Sequence, residues 1–115
     1  NAQAYNALGY SYAERNLRLP EARQLIEKAL QLAPDDPFIL DSMGWVLYRQ
    51  GDHAGALTLL LKAYGQRSDP EIAAHVGEVL WTLGRYDEAR RTLREAQTKH
   101  PGNDVLSEAV RKFAQ

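Results

Sequence analysis

Hydrophobic side chains recur along the chain at the three- and four-residue spacing of amphipathic helices. Leu40, Met43 and Leu47 follow this spacing in one stretch, and Ala56 and Leu60 follow it in the next. The pattern predicts helices over about residues 3–16, 20–32, 36–50, 53–66, 69–83, 86–99 and 103–114. No stretch shows the strict alternation of a half-buried strand, so the predicted fold class is all-α.

Small residues recur with a period close to 34. Gly9, Gly44 and Gly77 are 35 and 33 residues apart, and two alanine series follow at spacings of 34 and 33: Ala22, Ala56 and Ala89, then Ala29, Ala63 and Ala96. A glycine inside a helix costs about 1 kcal/mol relative to alanine. Three at matching places therefore predict a close approach of helix backbones, with the first alanine series on the facing helix.

Turn residues separate the predicted helices. Gly51 and Gly84 can end a helix in the left-handed conformation, whereas the first unit uses Asn16–Pro20, which is one residue longer and has no glycine. Between units, the segments Ala33–Pro37, Ser68–Pro70 and His100–Asp104 each offer an Asp or Asn as N-cap. The chain is thus predicted to be one domain over residues 1–115, with repeats at about 2–36, 37–69 and 70–103 and a capping helix at about 103–114.

Composition excludes several classes of protein. The 115 residues carry 14 basic and 15 acidic side chains, which is not the basic excess of a dedicated nucleic-acid binder. The absence of cysteine excludes a disulfide framework, a thiolate zinc site and a cysteine nucleophile. No apolar run has the ~20 residues that span a bilayer. Because the first predicted helix starts at the very beginning and Asn1 replaces the usual Met, we expect a piece of a longer protein.

The repeating units resemble the tetratricopeptide repeat, a helix–turn–helix unit of 34 residues. The resemblance rests on Leu8–Gly9, Met43–Gly44, Val76–Gly77, Tyr12, the paired alanines, Pro34 and Pro101. It implies a right-handed α-solenoid of three repeats plus the capping helix. Leu40 and Ala73 depart from the family's frequent aromatic residue, and Ser68 replaces its closing proline.

The same resemblance implies a groove lined by the first helix of each repeat and occupied by a peptide or partner protein. Carried over by alignment, the predicted partner-binding residues are Asn6, Tyr10, Phe38, Asp41, Trp45, Tyr48, Arg49, Ala74, Glu78 and Trp81, flanked by Gln3, Glu14, Glu71 and Thr82. This set is aromatic and mildly acidic, so it favours a partner with apolar and basic residues. Alternatively, Trp45, Tyr48 and Trp81 only pack between repeats. If they do line the groove, Trp45→Ala should weaken partner binding far more than it lowers the thermal stability of the fold.

Some relatives grip a C-terminal carboxylate with Lys, Asn and Arg on the first helices. The corresponding places here hold Asn6, Tyr10, Ser42, Glu71 and His75, which offer no Lys or Arg, so we do not expect a carboxylate clamp for chaperone tails.

No catalytic or cofactor motif is present, so an enzyme and a cofactor are not expected. Glu71, His75 and Glu78 share one helical face and could mimic a metal site, but one helix offers too few ligands, and a solvated face is the expected state. The function predicted from sequence is therefore an adaptor or scaffold that binds a partner protein.

The alternative is a structural spacer or self-association segment of a longer solenoid, which the apolar run Leu57–Leu61 favours. At a finer level, stretches 38–51 and 69–81 resemble large proteobacterial repeat proteins, many of which are lipid-anchored scaffolds of the periplasm. That resemblance implies an envelope location through an anchor outside the chain, with the cytoplasm as the alternative.

Overall fold

The computed structural model describes all 115 residues. It contains seven α-helices joined by turns, and no strand. The helices are α1 (Ala2–Glu14), α2 (Leu19–Leu32), α3 (Pro37–Arg49), α4 (His53–Gln66), α5 (Pro70–Thr82), α6 (Tyr86–Lys99) and α7 (Asp104–Phe113). Their number and order confirm the all-α prediction, and each boundary lies within two residues of the expected one. None of these helices has both the length and the apolar character that crossing a membrane requires.

The helices pack in consecutive pairs. Helix α1 packs against α2, α3 against α4 and α5 against α6, while α7 packs on both α5 and α6. Helices α1, α3, α5 and α7 also contact one another in that order, whereas α2, α4 and α6 make no such contacts among themselves. The odd-numbered helices therefore form a continuous layer, and its outer surface is called the odd-helix face below.

The start of each pair is fixed by an N-cap. The Asp36 carboxylate accepts hydrogen bonds from the backbone amides of Phe38 and Ile39 at 2.9 and 3.3 Å, and Asp69 repeats the arrangement at the start of α5. Asn103 accepts from the amide of Leu106 at 2.8 Å and so starts α7. These bonds satisfy amides that have no partner within the helix, and they confirm that an Asp or Asn caps the helix after each of the three segments.

The turn within each pair depends on one residue in the left-handed conformation. Gly51 and Gly84 have φ values of +95° and +80°, and Asn16 takes the same place in the first pair with φ 56°. In all three turns the next residue donates its amide to the carbonyl five positions earlier, at 2.9 Å. This is the Schellman pattern, which satisfies the last carbonyls of the helix. The extra residue of the first turn lets Arg18, also left-handed at φ 47°, precede α2.

The three repeated glycines lie where two helices of a pair approach most closely. A Cβ added at Gly9 would lie 2.6 Å from Ile26 Cγ1 and 3.0 Å from the carbonyl oxygen of Ala22. At Gly44 it would lie 2.8 Å from Leu60 Cγ, and at Gly77 it would overlap the side chain of Leu93. The predicted close approach is confirmed, and the bulk that fills the space comes from a branched side chain one turn beyond the alanine.

The core lies between the two layers. Its largest fully buried side chains are Ile26, Ile39, Leu60, Ile72, Leu93, Leu106, Val46, Val76 and Val79. Helix α7 contributes Leu106 and Ala109 to this core, so its apolar side covers the end of the α5–α6 pair. The opposite side of α7 continues the odd-helix face.

Candidate functional site

Two clefts of about 200 Å³ each open on the odd-helix face. Cleft A lies over the N-terminal halves of the helices and is lined by Asn6, Tyr10, Phe38, Asp41, Ser42, Asp69, Glu71, Ile72 and His75. Cleft B lies towards the C-terminal halves and α7, and is lined by Glu14, Trp45, Ala74, His75, Glu78, Val105, Glu108, Ala109, Lys112 and Phe113. Because His75 lines both clefts, it stands on the wall between them.

A buried cluster around His75 joins three helices at this wall. The Nδ1 atom of His75 lies 2.8 Å from a carboxylate oxygen of Asp41, and the hydroxyl of Tyr10 lies 3.4 Å from Nε2. The ring stacks on Trp45 with centroids 4.0 Å apart and planes 20° from parallel. The side chain of His75 is only 12% exposed. The solvated face expected from the sequence is therefore wrong at this position, because α1 and α3 cover the ring.

The cluster changes the acid–base properties of its members. Burial on its own lowers the pKa of His75, but the charge and hydrogen bond of Asp41, followed by the charges of Glu14 and Glu78, outweigh it and raise the pKa. Burial and the nearby carboxylates raise the pKa of Tyr10, so its hydroxyl stays protonated. The protonated imidazolium is thus the form that the three helices stabilise together.

A second set of contacts supports the floor of cleft B. The hydroxyl of Tyr48 donates to a carboxylate oxygen of Glu78 at 3.0 Å and lies 2.8 Å from the Thr82 hydroxyl. The guanidinium of Arg49 lies 5.1 Å from the centre of the Trp45 ring. These contacts orient the side chains of Glu78 and Trp45 in the wall of cleft B.

The predicted partner-binding residues differ widely in exposure. Phe38 is 41% exposed, whereas Asp41, Trp45 and Ala74 are 7%, 3% and 5% exposed. Half-buried positions are Asn6, Tyr10, Tyr48, Arg49, Glu78 and Trp81. The expectation that the groove exposes Asp41, Trp45 and Ala74 is therefore wrong, because adjacent odd-numbered helices pack directly against one another.

Trp81 and Phe38 differ in their neighbours and in whether they line a cleft. Trp81 lines neither cleft and packs instead against Tyr86 and Phe113, with ring centroids 4.5 and 6.1 Å away. Phe38 lines cleft A, and the guanidinium of Arg67 lies 5.5 Å from the centre of its ring. Of the aromatic residues predicted for the groove, Phe38 is thus the most accessible.

Sequence reasoning missed the contribution of α7 to this surface. Val105, Glu108, Lys112 and Phe113 line cleft B, although the sequence assigned this helix only a capping role. The available signal was that residues 103–114 begin like a fourth first-helix, which places α7 beside α5 in the same layer. The sequence places Ser42 and His75 at the positions of a carboxylate clamp, and His75 also on the helical face with Glu71 and Glu78, but it does not predict either as a binding residue; both line cleft A.

Carboxylates dominate the charge of both clefts. Asp41, Asp69 and Glu71 line cleft A, which has no lysine or arginine in its wall. Glu14, Glu78 and Glu108 line cleft B, whose one cationic wall residue other than His75 is Lys112, 3.6 Å from a Glu108 oxygen. No group of three or more His, Asp and Glu side chains is arranged to hold a metal ion. The surface therefore complements positive charge.

Comparison with known proteins agrees with the repeat pattern. The tetratricopeptide repeat family matches residues 1–37 and 42–104. The TPR repeat-containing protein PA4667 of Pseudomonas aeruginosa strain PAO1 is 58% identical over 78 residues, which cover 68% of this chain and 13% of that protein. The chain thus spans a small part of the length of this curated relative.

Solved structures show the same fold. The first TPR domain of human RPAP3 superposes with a TM-score of 0.83 at 20% identity, covering 99% of this chain and 90% of that one. The first TPR of Spaghetti (RPAP3) bound to the HSP90 peptide SRMEEVD gives 0.83 at 20% identity, covering 99% and 93%. Since the family match covers most of the sequence and these structures share its helical arrangement, the chain belongs to the tetratricopeptide repeat family.

Proposed function

We propose that the chain is a protein–protein interaction module whose odd-helix face binds a peptide or a segment of a partner protein. In this proposal the helices form three repeats of a right-handed solenoid, and α7 caps the last repeat while extending the binding surface. The main observation behind this proposal is that two clefts open on one continuous face and that carboxylates and aromatic rings line each of them. Members of this family commonly mediate protein–protein interaction.

The charge of the clefts indicates the chemistry of the partner. The peptide bound by the first TPR of Spaghetti (RPAP3), SRMEEVD, contains acidic residues. Here the clefts present carboxylates, and an acidic tail would be repelled. We therefore infer that the partner carries basic and apolar residues and that chaperone tails of the acidic kind are not ligands.

A selection from a random peptide library displayed on phage tests this proposal. Enriched peptides would be synthesised and their dissociation constants measured by isothermal titration calorimetry. Phe38→Ala and Glu78→Lys alter the odd-helix face, whereas Leu61→Ala is a matched control because Leu61 is 47% exposed on α4. We expect the first two variants to weaken binding about tenfold or more and the control to leave it unchanged. Equal affinity for all four proteins would refute binding at this face.

A second candidate function is self-association through the α1–α2 end of the stack. Leu8 is 47% exposed there, whereas Met43 and Val76, which also precede a repeated glycine, are 6% and 0% exposed. Tyr5, Leu8 and Tyr12 line a further cleft of about 410 Å³ at this end. In the Leu57–Leu61 run, Leu57 and Leu60 are buried, and Leu61 is the one leucine that is largely exposed, at 47%.

Light scattering over a range of concentrations distinguishes the two candidates. A dimer that forms with rising concentration and is abolished by Leu8→Glu would favour self-association as the function of this end. A monomer at every concentration would argue against self-association and leave the odd-helix face as the candidate site.

A further inference from the structure

The two clefts differ in lining but share a wall, which divides the odd-helix face into two separate receptacles. His75 lines both, and Trp45 stacks on it from the side of cleft B. At about 200 Å³ each cleft is smaller than the ~300–1,000 Å³ of a typical small-molecule pocket, so each suits one side chain better than a whole ligand.

Three of the six carboxylates that line these clefts already have a role within the chain: Asp41 pairs with His75, Glu108 pairs with Arg111 and Lys112, and Asp69 caps α5. The other three, Glu14, Glu71 and Glu78, take part in no salt bridge, although Glu78 accepts a hydrogen bond from Tyr48 at 3.0 Å. Several other acidic side chains are paired with an arginine three or four residues away, as Glu88 is with Arg85. Unpaired carboxylates beside an aromatic ring form a favourable site for a guanidinium or ammonium group.

Trp45 provides a second and independent sign of an incomplete site. Its side chain lines cleft B and is 97% buried as a residue, yet its indole N–H has no hydrogen-bond partner in the chain. The amide oxygen of Asn6, which lines cleft A, is also buried without a partner. Buried polar groups without partners are uncommon, so these two atoms mark the lining of the clefts as a part of the fold whose hydrogen bonds are incomplete.

The distance between the receptacles sets the spacing of the groups that fill them. Glu71 of cleft A and Glu78 of cleft B lie seven residues apart on α5, which corresponds to about 10 Å along the helix axis. A peptide in the polyproline II conformation advances about 3.1 Å per residue with three residues per turn, so residues i and i+3 project to the same side about 9 Å apart.

We propose that clefts A and B are two subsites for cationic side chains and that the partner segment binds in the polyproline II conformation, with two Arg or Lys residues separated by two others. This inference rests on the proposed function of the odd-helix face and adds to it the charge and register of the ligand. One basic side chain enters cleft A beside Glu71, and the other enters cleft B beside Glu78. The intervening residues pass over the wall formed by His75 and Trp45.

A panel of acetylated and amidated ten-residue peptides tests the register. Each contains two arginines in an alanine and serine background, with zero to six residues between them, and a matched peptide contains two glutamates. Fluorescence anisotropy of labelled peptides gives the affinities at low and physiological salt. We expect the peptide with two intervening residues to bind about tenfold more tightly than those with zero or six, and the affinity to fall with added salt.

Charge-neutral variants test the assignment of the subsites. Glu71→Gln and Glu78→Gln should each weaken the best peptide about fivefold to twentyfold, because each removes one charge-assisted contact. Glu95→Gln on α6 is the control, since it removes the same charge from an exposed position outside both clefts. Circular dichroism spectra of the three variants should match that of the unaltered chain.

The outcomes separate failure of the register from failure of the binding face. Equal affinity at every spacing, with losses in both cleft variants, would refute the two-residue spacing but retain the face. Equal affinity for Glu71→Gln, Glu78→Gln and Glu95→Gln would refute the subsites, and tighter binding of the glutamate peptide would refute the cationic ligand. If phage-selected peptides still depend on Phe38 in those cases, the proposed function survives without this inference.

Discussion

His75 is the residue that connects the three helix pairs on the odd-helix face. It lies on α5, bonds to Asp41 of α3 and reaches the hydroxyl of Tyr10 on α1. A charged pair that is largely removed from water interacts more strongly than an exposed one. The stability of the stack should therefore depend on the protonation of this imidazole.

His75→Gln should make the free energy of unfolding less dependent on pH. The groups that face the imidazole are Tyr10 and Glu14 from α1, Asp41 and Trp45 from α3, and Glu78 from α5, with Glu108 and Lys112 of α7 across cleft B. The folded-state pKa is raised above its unfolded value of about 6.5. The stabilisation is therefore complete below about pH 6.5 and is lost as the pH rises through the folded pKa.

Urea denaturation of the unaltered chain and the His75→Gln variant from pH 5.5 to 8.5 measures this effect. The stability advantage of histidine should shrink with rising pH. An advantage that stays constant or grows over this range would contradict the stabilised imidazolium.

Trp45→Ala should destabilise the fold strongly, so its effect on binding cannot be measured separately. Because Trp45 is 3% exposed and packs between His75 and Tyr48, its truncation should cost about 3–5 kcal/mol of unfolding free energy. Trp81→Ala, at a half-buried position, should cost less. Thermal denaturation of both variants checks the order, and a small loss at Trp45 would restore the interpretation of this residue as an exposed groove contact.

The residues of the site could be predicted only in part, for a physical reason. Helical spacing places Glu71, His75 and Glu78 on one face of a helix, but it does not say what another helix presents to that face. Asp41 lies 34 residues before His75, so their contact depends on how α3 and α5 pack. The burial of Trp45 likewise depends on the close approach of neighbouring odd-numbered helices.

At the scale of elements, the turns within the pairs use one geometry with different residues. Asn16 and Gly51 both have a positive φ, while Arg15 directly before Asn16 has the ordinary helical φ of −86°. Alanine is strained by about 1–2 kcal/mol in the left-handed region. Asn16→Ala and Gly51→Ala should therefore each lower the unfolding free energy by about 1 kcal/mol.

Arg15→Ala serves as the neighbouring control and should change the free energy by less than about 0.5 kcal/mol. Chemical denaturation of the three variants gives the comparison. Equal effects at Arg15 and Asn16 would show that the left-handed backbone is not the cause.

The glycines of the helix interiors make a second matched pair. A Cβ at Gly44 would lie 2.8 Å from Leu60 Cγ and 3.3 Å from the Ala56 carbonyl oxygen, whereas nothing lies within 4 Å of one at Gly65. Gly44→Ala should lower the unfolding free energy by about 1–3 kcal/mol through overpacking. Gly65→Ala should raise it by about 0.5–1 kcal/mol, because alanine is the better helix former.

Calorimetric melting temperatures of these two variants should thus move in opposite directions. A rise in both would mean that the α3–α4 contact has room for a methyl group, contrary to the close approach that the repeated glycines indicate.

The elements themselves were predictable because local signals agree. Hydrophobic periodicity, the Asp36 and Asp69 caps and the glycines at 51 and 84 all mark the same boundaries. Asn16 is the informative exception, since a sequence search for glycine misses a turn of the same geometry. The contribution of α7 to cleft B could not be predicted in this way. The apolar side of α7 indicates a capping helix, but it does not indicate what the opposite side of the helix does.

At the scale of the whole molecule, the two layers have different tasks. The even-numbered helices present their apolar faces inwards and make no contacts among themselves, while the odd-numbered helices contact one another and form one continuous surface. The near-neutral net charge of −1 therefore conceals a local excess of carboxylates around clefts A and B. This arrangement of charge is the basis for assigning a basic partner to the odd-helix face.

A nuclear magnetic resonance titration tests the central claim most directly. Nitrogen-15-labelled chain would be titrated with the two-arginine peptide that has two intervening residues, and amide shift changes would be mapped on the structure. We predict that the largest changes occur at residues lining clefts A and B, including Phe38, His75, Glu78 and Lys112, and that α4 and α6 stay unchanged. Changes confined to the α1–α2 end around Leu8 or to the even-numbered helices would contradict binding at the odd-helix face.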